Sequence, residues 1–102
     1  MYVRLTYLNF LPEKINKAKN YYDNEVVPAV KKQKGNIDCL LLEPANKGDD
    51  HISMTLWENK EDANAYQSSG LYKSLVEKLR DSYSKEPVLR VYSTESIMEH
   101  HL

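Results

Sequence analysis

The order of strand-like and helix-like segments is the feature that most constrains the fold of this chain. Residues 2–10, 37–43, 51–57 and 88–92 are rich in β-branched, aromatic and leucine residues, as strands are. Between the first two of these segments, and again between the last two, apolar residues recur at helical spacing. The order β-α-β-β-α-β is typical of a ferredoxin-like α+β fold, in which two helices cover one face of an antiparallel four-stranded sheet.

Proline, glycine and asparagine residues mark the limits of the two predicted helices. Pro12 opens the first helix, where a missing N–H leaves no bond unmade, and Gly35 ends it. Pro28 lies inside the helical pattern and predicts a kink or a new turn at that point. Asn59 is the predicted N-cap of the second helix, which we expect to break near residues 68–70.

The predicted strands carry apolar residues on both faces, although two helices can cover only one of them. In the first strand, Leu8 and Phe10 alternate with Val3, Leu5 and Tyr7. In a chain of 102 residues, a second copy of the same sheet is the simplest cover for the other face. Because two-fold dimers are the commonest oligomers, the sequence predicts a homodimer formed through the sheet face.

Composition and charge exclude several classes of function. The formal net charge of −1 lacks the basic excess that nucleic-acid binding requires. No apolar run approaches the ~18 residues needed to cross a membrane. Cys39 is the single cysteine, which favours a reducing compartment and makes the cytoplasm the expected location. We expect residues 1–93 to form one domain and residues 94–102 a tail.

No recognised cofactor or metal motif is present in the sequence. It contains no P-loop, dinucleotide fingerprint, C-x-x-C pair or H-E-x-x-H motif. His100 and His101 are adjacent in the tail, where we expect solvation rather than metal binding. His51 begins the third predicted strand beside two aspartates; we expect it to be exposed, unless it reaches a pocket and acts as a base. The expected site therefore holds neither a metal nor a cofactor.

The most specific pattern covers residues 51–79. It comprises a strand that ends in Trp57-Glu58, a polar turn, a helix with an aromatic residue, a Ser-Gly break and a second amphipathic stretch. This pattern resembles the antibiotic biosynthesis monooxygenase family, and softer similarity extends over residues 2–92. The resemblance implies a dimeric α+β barrel with a pocket between sheet and helices. Members of that family include cofactor-independent monooxygenases of anthrone-like or quinol-like aromatics, and haem-degrading enzymes.

Only some of the residues that the resemblance implies for the polyketide-oxidising branch are present at the matching positions of this sequence. Trp57 matches the family's tryptophan. The resemblance also implies an asparagine, a tyrosine and an arginine, but those positions hold Ser53, Ala63 and either Glu77 or Lys78. Serine can still donate a hydrogen bond, whereas alanine cannot replace a phenol.

The haem-degrading branch matches less well. It implies an asparagine in the first strand, for which Asn9 is the candidate. It also implies a tryptophan and an iron-binding histidine in the second helix, where this chain has Tyr66 and Val76. Haem degradation is therefore not the favoured activity.

The candidate site combines aromatic and small polar side chains. The predicted catalytic residues are Trp57, Tyr66 and Ser53, and the predicted substrate-binding residues are Tyr7, Asn9, Tyr72 and His51. Each has a structural alternative: the tryptophan can be a core residue, the tyrosines can pack with their hydroxyl groups in water, and polar residues of the first strand can edge the sheet.

Three hypotheses follow. The first is a cofactor-independent monooxygenase acting on a small hydroxylated aromatic or quinol-like compound. The second is a non-catalytic dimer that binds a small aromatic molecule. The third is a dimeric module whose pocket is filled by its own side chains. A closed pocket favours the third hypothesis, and an open pocket with a polar lining beside Trp57 favours the first two.

Overall fold

The computed structural model describes residues 1–94, and its elements follow the predicted order. The strands are β1 (Tyr2–Leu8), β2 (Asn36–Leu42), β3 (His51–Trp57) and β4 (Val88–Ser93). The helices are α1 (Ile15–Tyr21), α2 (Val27–Lys31), α3 (Lys60–Gln67) and α4 (Gly70–Glu77). The α+β class and the ferredoxin-like arrangement are confirmed. The predicted tail lies, apart from its first residue, outside the described residues.

The four strands form one antiparallel sheet in the order β2-β3-β1-β4. β1 is central, and its register with β3 sets Tyr2 opposite Trp57 and Leu8 opposite His51. Residues that lie opposite each other in an antiparallel pair share a face of the sheet. Since Trp57 is packed among buried helix residues, this register assigns Arg4 and its partner Thr55 to the helix-covered face.

The first helical region is not continuous. A π-helical turn, Tyr22–Val26, separates α1 from α2, and Pro28 lies in the first turn of α2. Proline has no N–H to donate to the carbonyl four residues earlier, and the wider turn accommodates that missing bond. The new turn predicted near Pro28 is confirmed, and Tyr22, at the start of the π-helical turn, is 2% exposed.

Local capping defines the remaining helix ends. Gly35 has φ +78° and closes the first helical region. The side chain of Asn59 accepts a hydrogen bond of 2.8 Å from the backbone N–H of Asp62. The predicted break in the second helix occurs at Ser69, whose hydroxyl accepts a hydrogen bond of 3.2 Å from the N–H of Tyr72 and so caps α4.

The core lies between the helices and one face of the sheet, in two clusters. The larger cluster comprises Tyr22, Val26, Val30, Cys39, Trp57, Ala63, Tyr66 and Leu75. The smaller comprises Leu8, Phe10, Ala18 and Leu79. All four helices contribute to this side of the sheet, either to the clusters or to the residues packed against them.

The other face of the sheet is mostly apolar and partly exposed, and it also carries Asp38 and Arg90. Strand alternation places there Val3, Leu5, Tyr7, Leu40, Leu42, Ile52, Met54, Leu56, Val88 and Tyr92. We call this surface the outer sheet face. Every residue of β4 is exposed, Tyr92 by 52%. Within residues 1–94, no helix is long and apolar enough to cross a membrane.

Candidate functional site

A cavity of about 70 Å³ lies between the helix-covered face of the sheet and the helices. Its polar lining residues are Arg4, Thr6, Tyr22, Ser53, Thr55, Tyr66, Tyr72 and Tyr83. The rest of the wall is formed by valine and leucine side chains. Among residues 1–94, no carboxylate, imidazole or thiol group lines this cavity. The wall therefore offers hydroxyl groups and one guanidinium against an aliphatic background.

Two hydroxyl groups meet where the π-helical turn approaches β3. The hydroxyl oxygens of Tyr22 and Ser53 are 2.5 Å apart, which is a short hydrogen bond. The Tyr22 oxygen is also 3.5 Å from the sulfur of Cys39 and 3.4 Å from the carbonyl oxygen of Leu40. Burial is the main cause that raises the pKa of Tyr22 far above its ordinary value. At neutral pH this phenol is protonated and can donate a hydrogen bond.

Three aromatic rings form one side of the site. The ring of Trp57 stacks on that of Tyr66 with 5.4 Å between centroids, and Tyr72 meets Tyr66 edge-on at 5.2 Å. The indole N–H of Trp57 donates a hydrogen bond of 2.9 Å to the hydroxyl of Thr55. Burial raises the pKa of Tyr66 well above its ordinary value, so this phenol is also a donor at neutral pH.

Trp57 does not itself line the cavity. Its side chain is fully buried, with 0% exposure, and it lies behind Tyr66 in the larger core cluster. The structure therefore places Trp57 as the support of a wall residue rather than as the wall. Ser53, Tyr66 and Tyr72, three of the predicted site residues, lie together in the lining.

Among the residues that the structure describes, Arg4 is the one charged residue that lines the cavity. It lies on the central strand β1 and is only 5% exposed. The carbon atom of its guanidinium lies 5.6 Å from the centroid of the Tyr72 ring, within cation–π range. Its Nε atom is buried and has no hydrogen-bond partner among residues 1–94.

Tyr72 and Tyr83 contribute to two neighbouring concave regions of the protein. Both residues, with Thr6 and Val76, also line an adjacent surface groove of about 790 Å³. Tyr83 stacks on Phe10 with 5.7 Å between centroids. Burial is the main cause that raises the pKa of Tyr83 to about 12.

The structure does not bring Tyr7, Asn9 or His51 to this cavity. Tyr7 lies on the outer sheet face. The amide nitrogen of Asn9 donates a hydrogen bond of 2.8 Å to Asp50, and its amide oxygen accepts one from the hydroxyl of Ser84. These contacts join Asn9 to the loops beyond β1.

His51 is buried, so the expectation of an exposed histidine is wrong. It is 6% exposed, because its position opposite Leu8 places it on the helix-covered face. Its ring meets Phe10 edge-on at 5.1 Å. Burial lowers the pKa of His51 below its ordinary value of 6.5. Because it does not line the cavity, it has no contact through which to act as a base there.

Sequence reasoning missed Arg4, Tyr22 and Tyr83 as lining residues. Helical spacing predicts only that Tyr22 is buried, and strand alternation predicts only that Arg4 lies on the face of the first strand that does not carry Tyr7. The sequence places Arg4 and Leu8 on one face of the first strand, but it carries no signal that the helices cover this face.

The profile of the antibiotic biosynthesis monooxygenase family matches residues 1–78. The chain belongs to this family. Similar solved structures include two proteins assigned to the family. One, from Nitrosomonas europaea, has a TM-score of 0.82 at 17% identity, with 92% of this chain and 98% of that chain covered.

The second, from Deinococcus radiodurans, has a TM-score of 0.82 at 11% identity, with 94% of each chain covered. A mutant of MhuD, crystallised with two manganese protoporphyrin IX molecules bound per active site, has a TM-score of 0.76 at 14% identity. The match covers 92% of this chain and 94% of the MhuD chain. At these identities the likeness establishes the fold. No curated protein matches the sequence significantly.

Proposed function

We propose that this member of the family is a cofactor-independent monooxygenase acting on a small hydroxylated aromatic or quinol-like compound. The observation that carries the proposal is the cavity wall, which presents phenol and serine hydroxyl groups against aliphatic side chains. Membership of the family supports the reaction class. The hydroxyl donors support a substrate whose oxygen atom becomes negatively charged during the reaction.

In this reaction the substrate supplies the electrons. An anthrone-like compound loses a proton to give a carbanion, which reacts with dioxygen at the same carbon. That carbon finally loses two hydrogen atoms and gains one oxygen atom as a carbonyl, and the second oxygen atom leaves as water. The protein binds the substrate, holds its negative oxygen and excludes bulk water.

The raised pKa values of the lining phenols assign them a donor role. Tyr22 and Tyr66 are protonated at neutral pH because burial disfavours their charged forms. They can donate hydrogen bonds to a substrate oxygen but cannot act as strong bases. The proposal therefore requires a substrate whose proton leaves to solvent while hydrogen bonds from these donors stabilise the anion that forms. Trp57 would fix the orientation of the Tyr66 ring through their stacking contact.

Substrate entry requires side-chain movement. A cavity of about 70 Å³ is smaller than the roughly 300–1,000 Å³ of typical ligand pockets. Tyr72 and Tyr83 line both this cavity and the larger surface groove. We infer that rotation of these two rings admits the substrate and that their return excludes water.

Haem does not fit the described site. The wall contains no imidazole or thiol group that could bind the iron, and burial disfavours the phenolate forms of Tyr22 and Tyr66 that could replace them. Residues 1–94 also contain no cluster of three or more histidine, cysteine or carboxylate residues suited to a metal ion. The protoporphyrin bound by the MhuD mutant therefore gives no basis for haem degradation by this chain.

We also propose that the protein is a homodimer that associates through the outer sheet face. The largest apolar patch on a typical monomer is roughly 300–600 Å², and larger patches mark interaction sites. The outer sheet face spans all four strands with Leu42, Val88 and Tyr92 exposed by 38%, 41% and 52%. Because the same face is apolar in every copy, two copies can pair about a two-fold axis.

Binding without turnover is the second candidate function. Two observations favour it: the described wall offers no strong base, and the tyrosine, arginine and asparagine of the oxidising branch are absent from the positions that the resemblance implies. The two candidates differ in oxygen consumption, which only the monooxygenase requires.

Oxygen uptake by the purified protein, measured against a panel of quinols, anthrones and catechols, tests the proposal. We expect uptake above the spontaneous rate with at least one class. Tyr66→Phe and Ser53→Ala should reduce the enzymatic rate roughly tenfold to hundredfold, as the loss of a donor to a charged oxygen does. Ser74→Ala, at an exposed position on α4 outside the cavity lining, is the matched control and should retain the rate. Uptake equal to the spontaneous rate with every compound, in folded protein, would contradict the proposal.

A further inference from the structure

We propose that Arg4 makes the cavity an anion-binding site, so that its ligand is an aromatic compound with a negatively charged oxygen. This inference rests on the proposed function and deepens it, because it concerns the same cavity. The shared chemistry is an oxyanion on a planar ring, which a carboxylate or a phenolate can supply.

The burial of Arg4 carries the argument. A charged group removed from water is unfavourable unless a partner compensates for the lost solvation. Arg4 is only 5% exposed, and its Nε atom has no hydrogen-bond partner among residues 1–94. The visible compensation is the ring of Tyr72, 5.6 Å from the guanidinium carbon. A cation–π contact of this kind is weaker than a hydrogen-bonded ion pair.

The described carboxylates that form ion pairs do so with other cations. Asp38 pairs with Lys31, Glu43 with Lys19, Glu25 with Lys78 and Glu77 with Arg80. No ion pair within residues 1–94 includes Arg4. The guanidinium therefore keeps its charge available to a ligand in the cavity.

The position of Arg4 in the sheet keeps its side chain at the cavity. β1 is paired on both edges, and the neighbours of Arg4 are Thr55 on β3 and Val91 on β4. Neither neighbour can neutralise a positive charge. The guanidinium has a planar fork of N–H groups that can bind two oxygens of a carboxylate at once, or one phenolate oxygen. The lining phenols Tyr66 and Tyr72 can then donate to the same anion or stack on its ring.

Binding measurements with matched anionic and neutral probes test the inference. Benzoate is compared with benzamide, and 4-nitrophenolate with nitrobenzene, by calorimetric titration at constant ionic strength. We expect at least one anion to bind roughly tenfold or more tightly than its neutral counterpart, as charge-assisted hydrogen bonds allow. Preference for benzoate identifies a carboxylate ligand, and preference for 4-nitrophenolate a phenolate. Equal affinity of each anion and its neutral counterpart would overturn the inference.

Variants of Arg4 assign the preference to this residue. Arg4→Gln should abolish the anion preference, and Arg4→Lys should retain part of it because the charge remains while the fork is lost. Lys73→Gln is the control, since it also removes one positive charge but Lys73 is exposed on α4 and lines neither the cavity nor the groove. An unchanged preference in folded Arg4→Gln would overturn the inference. If that variant does not fold, the wild-type comparison of the four probes decides.

The titrations involve no turnover, so they separate this inference from the proposed function. Anion preference without oxygen uptake would retain the anion site and exclude the monooxygenase. Oxygen uptake with a quinol, at a rate unaffected by Arg4→Gln and without anion preference, would retain the monooxygenase and exclude the anion site.

Discussion

The hydroxyl pair of Tyr22 and Ser53 joins the first helical region to the sheet at the cavity wall. Each group is the other's closest hydrogen-bond partner, at 2.5 Å. We expect Tyr22→Phe and Ser53→Ala each to lower the free energy of unfolding by about 1 kcal/mol, because each leaves the remaining hydroxyl without this partner. The double variant should lose less than the sum of the two, as interacting groups do. Urea unfolding measures all three free energies. Strict additivity of the two single losses would contradict a stabilising hydrogen bond between these hydroxyl groups.

His51 should make stability dependent on pH. Burial lowers its pKa below the ordinary 6.5, so the unfolded chain binds the proton more tightly than the folded protein does. The contribution of neutral His51 is complete above pH 6.5 and is lost as the pH falls from 6.5 through the folded-state pKa. Unfolding free energy measured from about pH 7 down to about pH 5 should therefore decrease more steeply for the wild type than for His51→Gln. Parallel curves would contradict this account.

Elements whose signals are local could be predicted from the sequence. The Asn59 cap and the break at Ser69 depend on residues within one helical turn, and both are confirmed. The site could be predicted only in part, because its lining depends on which strand face meets the helices. That contact is tertiary and has no local signal, so Ser53 and Tyr66 were identified through the family pattern, whereas Arg4 and Tyr22 were not identified at all.

Gly35 offers a test of how the first helical region is closed. It has φ +78°, and a Cβ atom built there would lie 2.0 Å from a carboxylate oxygen of Asp62. Gly48 also has positive φ, +96°, but open space around it. Gly48→Ala should lose about 1–2 kcal/mol of unfolding free energy through backbone strain alone. Gly35→Ala should lose more, since Asp62 at the start of α3 must also move. Equal losses in urea unfolding would show that the contact with Asp62 is unimportant.

At the scale of the whole molecule, the outer sheet face predicts how copies associate. A charge placed at its centre should prevent pairing, because the buried carboxylate would have no partner. Met54→Asp, whose cross-strand neighbours Leu5 and Leu40 are uncharged, should therefore sediment as a single chain of 11.9 kDa, whereas the wild type should sediment at twice that mass. Asn64→Asp, which adds the same charge on the exposed side of α3, is the control and should remain a dimer. A wild-type protein that is monomeric at micromolar concentration would contradict the proposed assembly.

The source of the oxygen in the product tests the central claim most directly. The wild-type protein is incubated with its best substrate under ¹⁸O₂ in ordinary water, and the product mass is measured before carbonyl exchange with water proceeds. A parallel reaction under ordinary dioxygen in H₂¹⁸O is the control. The account predicts one ¹⁸O atom per product molecule in the first reaction and none in the second, at a rate that Tyr66→Phe reduces. Product labelled from water, or label incorporated equally fast without the protein, would contradict a monooxygenase.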